Sequence, residues 1–81
     1  MAKRADFQDW LVDALRKFGG KAHLTDVSKY VWDNYRKELE KSDRLLYTWQ
    51  YDLRWAAYQL RKKGVLKPDE DTPRGVWELC L

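Results

Sequence analysis

The sequence predicts a small α+β domain, a winged helix-turn-helix of three helices followed by a two-stranded β-hairpin wing. Three observations point there. Phe7, Trp10, Leu11, Ala14, Leu15 and Phe18 recur at helical spacing and stop at Gly19-Gly20. The run TWQYDLRWAAYQLRKK, residues 48–63, carries a second apolar stripe, Trp49, Leu53, Ala56, Ala57 and Leu60, and stops at Gly64. Two short apolar stretches then flank a turn-rich loop, Pro68 to Pro73.

In chain order, Asp6 can cap the first helix, Asp9 suits its positive dipole end, and Arg16 and Lys17 suit its last turn. Lys21-Ala22-His23-Leu24 is long enough only for a strand stub. Thr25-Asp26 reads as a cap and acidic first turn for a second helix from about Asp26 to Tyr35, with Val27, Tyr30, Val31 and Tyr35 on its stripe and Trp32 off it. RKELEKSDRLLY, residues 36–47, is charged first and apolar later, and reads as a linker with some helical content. Thr48 is a cap candidate for the third helix. Val65-Leu66-Lys67 and Gly75-Val76-Trp77-Glu78-Leu79 are the hairpin strands, the second placing Trp77 and Leu79 on one face. The whole chain, 1–81, is one domain without internal repeat or low-complexity stretch.

A chain of 81 residues has a modest core, and this one compensates with bulky side chains: five Trp, five Tyr and two Phe. The composition, 44% hydrophobic and 36% charged, is that of a globular protein. The net charge is +3, unevenly spread. Residues 1–35 carry six positive and five negative charges, residues 36–67 nine and four, and residues 68–81 one and four. The basic excess sits mid-chain, where a solvated face is the plain alternative to a binding surface. Cys80 is the one cysteine, so no intramolecular disulfide or cysteine-based metal site is expected, which fits a reducing cytoplasm. No stretch approaches the about 18 apolar residues of a membrane span, and MAKRADFQDW has no signal-peptide core. A cytoplasmic location and no membrane partner are expected.

In a helix-turn-helix the later helix enters the major groove. With the 48–63 stripe facing the domain, the opposite face carries Gln50, Arg54, Tyr58 and Arg61, while Tyr47, Thr48 and Tyr51 crowd its start. Arg can fork onto guanine and Gln onto adenine; hydroxyls and cations suit phosphates. Arg44, Arg61, Lys62 and Lys67 are the expected positioning contacts, and Arg74, on the wing, completes the expected DNA-binding set. Trp10, Trp49, Trp55 and Trp77 are expected to pack rather than to bind.

The run DLRWAAYQLRKKGVLKP and the later RGVWEL, within residues 52–79, resemble the N-terminal winged-helix domain of Mrr-type restriction endonucleases. The matching residues are Trp55-Ala56, Leu60, Arg61-Lys62, Gly64-Val65-Leu66 and Arg74-Gly75-Val76-Trp77. Gly19-Gly20 and Leu24-Thr25-Asp26-Val27 are similar to that family's junction between its first two helices. The resemblance implies a double-stranded DNA recognition module of a restriction-modification system, working with a partner nuclease domain or as a homodimer. The sequence departs from the pattern in its acidic wing, Asp69-Glu70-Asp71, whose carboxylates repel phosphates.

Enzymatic activity is not expected. His23 has no second His or Cys at ligand spacing, Cys80 has no base pattern nearby, and no acidic-x-Lys triplet of a nuclease centre occurs. No cofactor, metal or small-molecule substrate is called for. Two other binding readings remain: a protein-interaction or dimerisation winged helix anchored on Trp32, Tyr47, Tyr51 and Tyr58, and RNA binding through stacked bases, for which a helical platform is less suited than a sheet.

Overall fold

The computed structural model describes residues 2–80. The α+β winged-helix layout is present: helices α1 (Asp6–Lys17), α2 (Leu24–Lys41) and α3 (Asp43–Lys62), with strands β1 (Lys21–His23) and β2 (Val76–Glu78). β1 and β2 pair antiparallel in the register Lys21 to Glu78, Ala22 to Trp77 and His23 to Val76. On its other edge β2 meets the chain leaving α3. There Leu66 bridges Leu79, the Lys67 amide donates to the Glu78 carbonyl (2.9 Å) and the Cys80 amide to the Val65 carbonyl (2.8 Å). The expected hairpin strand 65–67 is thus a single bridge, and the regular ladder is the one β2 makes with the stub before α2. Between the hairpin arms, Asp69–Asp71 form one 3-10 turn.

The largest difference from expectation lies at residues 36–47, which are helical rather than a linker. The α2 stripe Val27, Val31, Tyr35 continues four residues on to Leu39, which is fully buried, and Leu45 is buried one turn into α3. Each such burial contributes about 1.5–3 kcal/mol, enough to carry a charged run into helix. α2 therefore runs to Lys41 instead of Tyr35, and α3 starts at Asp43 instead of Thr48. Ser42 alone separates them, in an extended conformation, so Thr48 lies inside α3 and caps nothing. At the other end of α2 the cap is His23, not Thr25: its Nδ1 accepts from the Thr25 amide at 3.2 Å. Asp6 likewise does not cap α1 by its side chain in the ordinary way; it accepts from the Lys3 amide at 2.8 Å and folds residues 3–6 into a turn.

The core lies where α1 (Phe7, Leu11, Leu15), α2 (Val27, Val31, Leu39) and α3 (Leu53, Ala56, Leu60) meet, closed at one end by Leu66 and Trp77. Aromatic pairs brace the helices outside it. Trp10 stacks on Tyr35 (4.3 Å between centroids), and Trp32, off the α2 stripe, stacks on Trp49 (5.7 Å). The Tyr35 hydroxyl donates to Asp13 at 3.2 Å.

Two outcomes are expected. Gly75 has φ +78°, and a Cβ there would stand 2.8 Å from His23 Nε2, on a ring pinned by its cap. Gly64 has φ +80° and open space around it. Both Ala variants incur the left-handed cost of about 1–2 kcal/mol. Gly75→Ala should cost more than Gly64→Ala in urea unfolding, and the excess should vanish in a His23→Ala background. Burial, then the charge of Asp13, raises the Tyr35 phenol from near 10 to about 12. The neutral phenol is the form the fold prefers, so its contribution to stability is complete below pH 10 and is lost as pH rises toward 12. Spectroscopic titration should show one late tyrosine, absent in Tyr35→Phe.

Candidate nucleic-acid interface

An α-helix with one face in the core presents the other to water, and on α3 that face is polar and aromatic. Tyr47, Gln50, Arg54 and Tyr58 follow at three- and four-residue steps, all exposed, with Arg44, Tyr51 and Lys62 exposed beside them. Tyr47, Tyr51 and Tyr58 are 85%, 71% and 59% exposed, far above what a packing role leaves to large aromatics. Gln50 and Arg54 overhang a groove of about 360 Å³ between α3 and the start of α2, lined also by Leu24, Thr25, Ser28 and Trp77.

The charges of this face are distributed unlike those of α2. On α2, Lys29 pairs with Asp33 and Arg36 with Glu40, each at 2.6 Å across one turn. On α3 the carboxylates are kept off the exposed stripe. Asp43 sits in the first turn, and Asp52 is 5% exposed. Arg44, Arg54 and Lys62 have no carboxylate partner among the described residues, and Lys62 lies 5.4 Å from the Tyr58 ring.

The remaining residues of the expected set are placed differently. Arg61 is half-buried; its Nη1 meets Asp69 at 2.7 Å and its Nε donates to the Lys67 carbonyl at 3.2 Å. It ties the wing to α3. Lys67 pairs with Glu78 at 3.0 Å, whose hydrogen bond and charge raise its pKa. The Thr48 hydroxyl is turned inward, donating to Asp52 at 2.6 Å. Arg74 is exposed on the loop before β2. The structure therefore gathers Arg44, Tyr47, Gln50, Tyr51, Arg54, Tyr58 and Lys62 on one surface, gives Thr48, Arg61 and Lys67 internal partners, and leaves Arg74 apart on the wing.

The sequence reading missed Arg4. Its Nε pairs with buried Asp52 at 3.2 Å, and its guanidinium lies over Trp55 (4.1 Å) and within 5.9 Å of the Tyr51 ring. Trp55 is therefore half-covered by the segment that precedes α1. Asp52 was the available signal, a carboxylate turned from the exposed stripe of α3 that requires a partner.

Among the described residues no group of three or more His, Cys, Asp or Glu is placed to hold a metal, and no helix is long and apolar enough to cross a membrane. No protein-family model, curated protein or solved structure matches the chain.

The Asp52 cluster gives the prediction of this section. Asp52→Ala removes a charge-assisted hydrogen bond and an ion pair while Arg4, half in solvent, can rehydrate. The expected cost is about 2 kcal/mol in chemical unfolding.

Proposed function

We propose that this domain is a non-catalytic double-stranded DNA-binding module that reads the major groove with α3. One observation carries the reading: the exposed face of α3 holds Arg44, Arg54 and Lys62, without carboxylate partners among the described residues, beside hydrogen-bonding Gln50, Tyr47, Tyr51 and Tyr58, with its second carboxylate buried. A duplex presents a phosphate lattice that rewards unpaired cations and base edges that reward Arg and Gln. A B-form major groove about 12 Å wide admits a helix. Joined to a nuclease domain, as the likeness to Mrr-type recognition domains suggests, the module would be the recognition part of a restriction system in the cytoplasm. Alone or as a homodimer it would act as a small regulator.

A protein-docking reading has its own support: the three exposed tyrosines are suited to interface anchoring, and the wing neutralises Arg61 and Lys67. The two readings part on one titration of the domain with a random-sequence duplex at low and moderate salt. DNA binding requires affinity that falls steeply with salt. Absence of duplex binding at low salt overturns it in favour of docking.

On a selected site, Arg54→Ala should lose about 1–3 kcal/mol and relax specificity. Lys62→Ala should weaken all sequences alike and reduce the salt slope by about one. Equal losses on all sequences for Arg54→Ala would make it a backbone contact instead.

A further inference from the structure

Residues 2–5 precede α1, and Arg4 lies against the flank of α3. The segment is held at two points: the Lys3 amide on Asp6, and the Arg4 guanidinium on Asp52, Trp55 and Tyr51. Between this segment and α3 lies an open cleft of about 610 Å³. Three cations line it, Lys3, Arg4 and Arg44, with Thr48 and Tyr51. Asp52 is its one carboxylate, and it is already satisfied by Arg4 and Thr48.

Like charges are not brought to one concavity without cost, and Asp52 is the one carboxylate that lines this cleft. Lys3 and Arg44 have no carboxylate partner among the described residues. Arg4 engages Asp52 through Nε, and a guanidinium has five N–H donors, so donors remain for a ligand. The turn closed by Asp6 and the stacking of Arg4 on Trp55 hold the segment beside α3.

We infer that this cleft is a phosphodiester-binding site, in which Lys3, Arg4 and Arg44 grip one strand of the duplex beside the N-terminal half of α3. The inference deepens the DNA-binding reading and rests on it for the source of the phosphate. It adds Lys3 and Arg4, outside the reading helix, to the interface.

The test is the salt dependence of duplex affinity for the wild-type domain, Lys3→Ala, Arg44→Ala and, as a control at the opposite end of α1, Lys17→Ala. All three positions are exposed, so folding is not at stake. Each cleft variant should flatten the logarithmic salt slope by about 0.9, and the double variant by about 1.8, with Lys17→Ala unchanged. Wild-type slopes in both cleft variants overturn the cleft and leave the DNA reading standing. A parallel NMR titration with inorganic phosphate separates the two further. Amide shifts confined to residues 2–4, 44, 48 and 51 in a domain that does not bind duplex would retain a phosphate cleft and remove DNA as its source. No such shifts and no duplex binding overturn both.

Discussion

A buried charge must be matched, and Asp52 is the one ionisable side chain in the buried class among the described residues. An unpaired carboxylate in that position would cost several kcal/mol, so its partners are obligatory parts of the fold. Thr48 supplies one from the preceding turn of the same helix. The other, Arg4, comes from 48 residues earlier and can reach only if the segment before α1 lies against the flank of α3. Trp55 and Tyr51 then give the guanidinium aromatic faces to lie on. A single carboxylate on the flank of α3 thereby fixes the path of the chain before α1, half-covers Trp55 and assembles the cation-lined cleft.

The same residue explains why α3 differs from α2. Both are long, charged and amphipathic. Two acids of α2, Asp33 and Glu40, stand one turn after Lys29 and Arg36 and neutralise them at the surface. Of the acids of α3, one sits at the N-terminus, where the helix dipole favours it, and the other is consumed inside. What is left on the surface is cationic and aromatic. The asymmetry follows from where two carboxylates sit in a 20-residue helix.

Much of this was legible in the sequence, for identifiable reasons. Helix periodicity is local, so α1 and the second half of α3 follow from spacing, and with them the shared face of Gln50, Arg54 and Tyr58. Glycines at positive φ mark where α1 and α3 end. The 36–47 stretch reads as a linker because its charges conceal two buried leucines, Leu39 and Leu45, whose value depends on what α1 and α3 bring to them. His23 as a cap depended on Nδ1 geometry that no propensity encodes. The internal partners of Arg61 and Lys67, Asp69 and Glu78, become visible only when the wing is folded back on α3 and β2. Arg4 lay furthest out of reach, because sequence shows that Asp52 needs a cation without showing which of sixteen Lys and Arg residues supplies it.

The placement of charge along α3 has a consequence for how a duplex would sit. From Arg44 to Arg61 the helix rises about 25 Å. At its start stand Arg44 and, across the cleft, Lys3 and Arg4. At its end Arg61 is spent on Asp69, and Glu70 and Asp71 stand exposed beyond it. The helix dipole runs the same way, positive at the start and negative at the end. Lys62 stands exposed at that end as well, so on the DNA-binding proposal phosphates would meet cations along the whole of α3, and the acidic wing would limit contact beyond its last turn. A basic wing would grip the backbone at the opposite end. Here the wing is acidic and anchored by Arg61, and on the proposal above the gripping role would fall to the segment before α1. The acidic loop and the cation cleft thus lie at opposite ends of α3, and on the DNA-binding proposal they would bias the direction in which α3 lies in a groove.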